Sequence, residues 1–129
     1  MDEAFIKKVQ PNSPEAEQSV IGAMIMDRDA IADVIDIVSA DDFYQKQNGI
    51  LFEAMTELYR EGKPVDLVTL QNKLKKKDVP ESMKSLEFIR DLLEAVPTSA
   101  NAKQYAKIVS EKAKVTYQSG TLLMIMSRD

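Results

Sequence analysis

Apolar positions recur every three or four residues along nearly the whole chain, and no stretch alternates apolar and polar like a half-buried strand. The spacing predicts an all-α fold. The first helix begins at Ser13, a capping residue followed by Pro14 at the first helical position. Glu15 and Glu17 stand where negative charge complements the helix dipole. Val20, Ile21, Met24 and Ile25 then form one apolar stripe. Asp27 starts a second helix, in which Ile31, Val34, Ile35 and Val38 fall at i, i+3, i+4 and i+7. Ser39 to Asp42 reads as a short turn, with Asp42 in a capping-box position, that delivers Phe43 and Tyr44.

A third helix is predicted from about Gln47 to Glu61, apolar through Ile50, Leu51, Ala54, Met55 and Leu58. Gly62 and Pro64 stop it, since Gly takes positive φ and Pro cannot continue a helix. Asp66 caps the fourth helix, with Val65 and Leu70 at the two positions of a hydrophobic staple, and that helix fades into Lys75, Lys76 and Lys77. Residues 78–84 read as a loop around Pro80. A fifth helix holds Leu86, Ile89, Leu92 and Leu93 and stops before Pro97. Thr98 or Ser99 caps a sixth that meets no further proline and runs to about Met126. The implied division is a mobile arm over 1–12, a compact head of about five helices over 13–97, and one long helix over 98–129.

Composition narrows the chemistry. At 129 residues, 44% of them hydrophobic, the chain is one domain with enough apolar surface for a core. It has no Cys and no His, which removes the thiolate nucleophile, the commonest general base and the usual transition-metal ligands. Its four glycines, at 22, 49, 62 and 120, form no phosphate-binding loop. No catalytic, cofactor-binding or metal residue is therefore expected. The pairs Asp27/Asp29, Asp33/Asp36 and Asp41/Asp42 suit an oxygen-only Mg²⁺ site in principle, but they read better as caps and polar-face residues. The lysines at 73, 75, 76 and 77 suit phosphate, and equally suit the negative end of the fourth helix.

Net charge is −4 with a pI near 4.9, far from the basic footprint of a nucleic-acid-binding domain, so little direct DNA binding is expected. The charge is uneven: residues 1–62 carry 5 Lys/Arg against 13 Asp/Glu, a net −8, and residues 63–129 carry 12 against 8, a net +4. That asymmetry favours a protein partner of mixed charge. No apolar run is long enough for a membrane span and the N-terminus has no secretory apolar region, so the chain reads as cytoplasmic. The residues by themselves describe a small all-α domain that works by binding protein.

The segment Pro-Glu-Ala-Glu-Gln-Ser-Val-Ile-Gly-Ala (14–23) resembles the N-terminal domain of bacterial replicative DNA helicases of the DnaB family. The likeness continues through Asp-Asp-Phe-Tyr (41–44), Ile-Leu-Phe-Glu-Ala-Met (50–55) and Glu-Gly-Lys-Pro-Val-Asp-Leu-Val-Thr-Leu (61–70). It resumes at Ala-Val-Pro-Thr-Ser-Ala-Asn (95–101) and Tyr-Ala-Lys-Ile-Val-Ser-Glu-Lys-Ala (105–113). The chain departs from the family at Asn48, where His is usual, and after Ala113. The resemblance implies a collar domain of a ring-shaped hexamer, with the long helix as the first arm of a hairpin through which domains pair. It implies primase as a docked partner and a helicase loader as another, and a separate motor domain that uses ATP and Mg²⁺. This fragment would then be no enzyme itself. Glu15 and Phe88 match family positions associated with primase docking. The alternatives are the helicase-binding domain of primase, whose fold is similar, or a helical loader or adaptor.

The long helix supplies candidates for self-association. Ala102, Ala106, Val109 and Ala113 open a seam of small residues at 4-3-4 spacing that continues towards Leu123. Leu122 and Met126 belong to a second seam, and Leu122 to Met126 are apolar without a break, so no single contact can bury them.

Overall fold

Helix α1 (Pro14–Met26) runs through the middle of the computed structural model. The structure describes residues 13–94 and 101–127, excepting the side chains of Leu93 and of 115–127. Five successive residues of α1, Val20 to Met24, are buried. Successive residues turn about 100°, so α1 is covered on all sides and not along one stripe. The cover comes from α2 (Arg28–Ile35), α3 (Lys46–Arg60), α5 (Leu86–Glu94) and α6 (Ala102–Ser127). Helix α4 (Leu67–Lys75) packs between α3 and α5. These six α-helices, with two short 3-10 turns, make up the regular structure of the described residues.

The boundaries follow from local chemistry. Ser13 Oγ accepts the Ala16 N–H at 3.3 Å, and the Asp27 carboxylate accepts the Asp29 N–H at 2.9 Å, starting α2 one residue after α1 ends. The first 3-10 turn (Ala40–Asp42) is closed by the Ser39 N–H donating to Asp42 at 3.0 Å. Gly62 has φ 74, and the Lys63 N–H donates to Leu58 O while the Gly62 N–H donates to Tyr59 O, the paired closure of a Schellman motif. At α4, the Thr69 N–H donates to Asp66 at 2.8 Å and the Asp66 N–H to Thr69 Oγ1 at 2.9 Å, a complete capping box.

Differences from expectation cluster in the second half. Residues 81–84 are a second 3-10 turn (Glu81–Lys84) and not open loop, because the turn buries Met83. Helix α5 is capped by Ser85, whose Oγ accepts the Phe88 N–H at 3.1 Å. Helix α6 begins at Ala102; the expected caps Thr98 and Ser99 lie outside the described residues, as do the arm over 1–12 and the side chains of Leu93, Leu122, Leu123 and Met126. The small-residue seam needs correction. Ala102, Ala106 and Val109 are buried in the core of the head, where α6 packs on α1 and α2. Their small size brings α6 close to α1 within one chain, so they are spent there and are not free to meet another arm. The first turns of α6 thus belong to the head, and Ala113 is the first member of the seam beyond the core, half-buried.

Candidate functional site

Two glutamates two residues apart on α1 point in nearly opposite directions, about 200° around the helix. Glu15 is exposed on the first turn. Glu17 faces inward in line with Ile21 and Met24 and is only 2% exposed. Its Oε2 accepts the Tyr44 N–H at 2.9 Å, and its Oε1 accepts the Gln45 N–H at 3.1 Å and Asn48 Nδ2 at 3.2 Å. Gln45 is the N-cap of α3 and makes no capping bond with its own side chain. Glu17 does that work from α1, and its charge sits at the positive end of the α3 dipole. A buried carboxylate is tolerated only when fully partnered, and here three donors converge on it. Sequence reading assigns Glu17 to the dipole of its own helix. The signal for its true place is that Glu17 interrupts an inward apolar line and α3 has no Ser, Thr or Asp at its start.

The surroundings tighten the same junction. Asn48, 4% exposed, turns its amide group to Glu17. A Cβ on Gly49 would lie 2.7 Å from Ala40 O, so glycine lets the first 3-10 turn rest on α3. Phe43 and Phe52 pack with ring centroids 5.3 Å apart. Tyr44 is thereby anchored through its backbone while its side chain stays 57% exposed.

Of the expected partner contacts, Glu15 is exposed on α1 and Phe88 is half-buried on α5, against the core. The two stand on helices that touch. Two lysines of the run, Lys73 and Lys77, are held in ion pairs with the acids of α3 and its C-cap. Lys73 Nζ lies 2.6 Å from Glu61 and 3.5 Å from Glu57; Lys77 Nζ lies 2.9 Å from Glu57 and 3.9 Å from Glu53. The acids repeat every four residues along α3 and meet the lysines of α4 and its exit. Hydrogen bonds from Lys73 and then Lys63 hold the Glu61 carboxyl down at about 2. Burial pushes Glu57 up, but the Lys77 and Lys73 contacts outweigh it and leave its pKa lowered. The Glu61 hydrogen bond raises Lys73.

One aspartate of each pair is engaged in structure. Asp27 caps α2, Asp42 closes the 3-10 turn, and Asp33 lies 3.7 Å from Lys103. Among the described residues no cluster of three or more acidic side chains is arranged to hold a metal ion, and no helix is long and apolar enough to cross a membrane. What the arrangement offers is a rigid helical surface.

The sequence profile of the DnaB-like helicase N terminal domain matches residues 9–111. The chain is 38% identical over 113 residues to the replicative DNA helicase DnaB of Geobacillus stearothermophilus, a match covering 88% of this chain and 25% of that protein. It is 39% identical over 103 residues to the replicative DNA helicase DnaB of Mycobacterium leprae, covering 80% of this chain and 17% of that protein. It thus spans about a quarter or less of the length of these relatives. Among solved structures, the N-terminal domain of DnaB helicase from Mycobacterium tuberculosis superposes with a TM-score of 0.82 at 34% identity, over 93% of this chain and 88% of that one. The N-terminal domain of DnaB helicase from Helicobacter pylori, described with its interactions with primase, superposes with a TM-score of 0.75 over 99% of this chain and 98% of that one. At 22% identity it supports the fold alone.

Proposed function

The chain belongs to the DnaB-like helicase N-terminal domain family, and we propose that it is the protein-docking and oligomerisation domain of a hexameric replicative DNA helicase. Primase is its principal partner, a loader another, and further copies of itself the rest of the collar. The motor that uses ATP and Mg²⁺ lies in other parts of the parent protein. The family match along most of the chain carries this reading, and it favours a helicase over a domain of primase or a loader. The absence of His and Cys and of any phosphate-loop motif supports a binding role without catalysis here.

We place primase on the side of the head that carries Glu15 and Phe88. Glu15 is exposed on α1, and Phe88 is half-buried on α5, a helix that touches α1. The test is a titration of the labelled C-terminal domain of the cognate primase into residues 1–129. Glu15→Ala is expected to weaken binding by about 1–2 kcal/mol, roughly five- to thirtyfold, without lowering the melting temperature. Phe88→Ala is expected to weaken binding by more, and a melting curve separates its packing role from its contact role. Unchanged affinity in both variants overturns this placement.

A further inference from the structure

Asn48 and Gly49 are each fixed by a separate demand of the fold. Asn48 is 4% exposed and gives Glu17 Oε1 its side-chain donor, Nδ2, at 3.2 Å. Gly49 is required by the first 3-10 turn, whose Ala40 carbonyl oxygen would lie 2.7 Å from any Cβ. Together they make the one Asn-Gly pair in the sequence. Glycine after asparagine favours loss of the side-chain amide, because no Cβ hinders ring closure and the backbone reaches the required φ/ψ freely. The Gly49 backbone nitrogen attacks Asn48 Cγ and gives up its proton, the bond from Cγ to Nδ2 breaks, and ammonia leaves with that proton. Water then opens the resulting succinimide at either carbonyl, giving aspartate or isoaspartate. One water is consumed and one ammonia released, and nothing is oxidised or reduced.

The native structure blocks each step. The Gly49 N–H donates to Gln45 O at 3.3 Å, in the first turn of α3. The leaving group, Nδ2, is held by Glu17, and burial keeps water from the amide. Ring closure also needs Asn48 to leave helical φ/ψ. All of these restraints vanish when the chain unfolds, and the product does not fit back. In the aspartate product a carboxylate oxygen takes the place of the donating Nδ2, so two acidic acceptors face each other in a buried place. Asn48 Oδ1 is buried with no hydrogen-bond partner among the described residues, so no donor stands by to meet the new charge. Isoaspartate adds a methylene to the backbone and breaks the hydrogen-bond register of the first turn of α3.

We propose that Asn48–Gly49 is a deamidation site gated by folding: inert in the native domain, and converted by water on unfolding into a residue that bars the chain from refolding. Unfolding thereby becomes progressively irreversible through chemical modification of the unfolded chain. None of this depends on where primase docks.

Residues 1–129 are incubated in mildly alkaline buffer, native and in guanidinium chloride, and deamidation at each asparagine is read by peptide mass spectrometry. In denaturant Asn48 is expected to react first, ahead of Asn12, Asn72 and Asn101, which precede Ser, Lys and Ala. In the native protein it is expected to react at least about a hundredfold more slowly, through the unfolded fraction alone. After dilution from denaturant, the refolded monomer is expected to be depleted of chains modified at position 48. Asn48→Asp is expected to lower the melting temperature by on the order of 5 °C. Asn48→His keeps a donor towards Glu17 and has no amide to lose, so its refolding yield is expected to stay constant over the same incubation. Equal rates in native and denatured protein, or preference for another asparagine, overturn the gated site. Modified chains refolding in proportion, Asn48→Asp melting with the wild type, or Asn48→His losing yield as fast as the wild type overturn the bar to refolding. The mass readings on the wild-type chain decide the matter whether or not either variant folds.

Discussion

Glu17 concentrates more of the fold in one side chain than any other polar residue described. It holds the entry to α3 from a position 27 and 28 residues earlier in the chain. Replacing it with alanine strands two backbone N–H groups and the Asn48 amide in a buried place, and is expected to cost about 3 kcal/mol in urea unfolding. Glu17→Gln keeps an acceptor oxygen but loses the charge, and is expected to cost less. A loss under about 1 kcal/mol for alanine would mean that water replaces the carboxylate at little cost. Gly49 is the second sensitive point. Its added Cβ would meet the Ala40 backbone carbonyl at 2.7 Å, with no flexible side chain to yield, so Gly49→Ala is expected to destabilise by roughly 1–3 kcal/mol. At Gly62, where nothing lies within 4 Å, the cost of alanine comes from the positive φ and not from crowding.

Between elements, the α3–α4 contact is an ionic comb laid over an apolar seam. Leu58, Leu70 and Leu74 are buried, and the glutamates at 53, 57 and 61 with the lysines at 73 and 77 close the outer edge. Exposed ion pairs are individually weak, so the comb steers the packing more than it drives it. It does leave a pH signature. Glu61 titrates near 2 in the folded protein against 4.5 in the unfolded chain, so below pH 4.5 the unfolded state binds more protons. The stabilisation is complete above 4.5 and is lost as pH falls through about 2. Glu57, also lowered, acts in the same direction. The urea midpoint is expected to drop over that window, and Lys73→Met is expected to flatten the drop. An identical pH dependence in Lys73→Met would show that other carboxylates are responsible.

At the scale of the whole molecule, the long helix divides into two parts. Its first turns are core, through Ala102, Ala106 and Val109. On the proposed reading, self-association would fall to the residues after Ala113, above all the apolar run from Leu122 to Met126. Residues 1–129 are expected to associate at tens of micromolar in sedimentation equilibrium, and a version ending at Ala113 to stay monomeric with nearly the same melting temperature, since the buried turns are retained. Two monomers would overturn arm pairing. Millimolar ATP is expected to leave the melting temperature unchanged, because a ligand that binds the native state must stabilise it.

Sequence alone settled the helices and most of their ends: Ser13, Asp27 and Asp66 as caps, the Gly62 and Pro64 stop, the buried lines of α2 and α3. The caps and the stop are interactions between residues at most five apart, so the residue types carry them wherever the chain goes, and the buried lines show in the helical spacing of the apolar residues. The order of family blocks, likewise readable from the residues, pointed to the family that the comparisons then showed. Tertiary structure decided the rest. Whether Glu17 faces its own helix end or another's, whether small residues on α6 receive a second arm or the head, and which acids meet Lys73 and Lys77 all depend on contacts between residues far apart in sequence. Periodicity says which face of a helix is buried, but not against what, because the hydrophobic effect that buries it has no direction and names no partner.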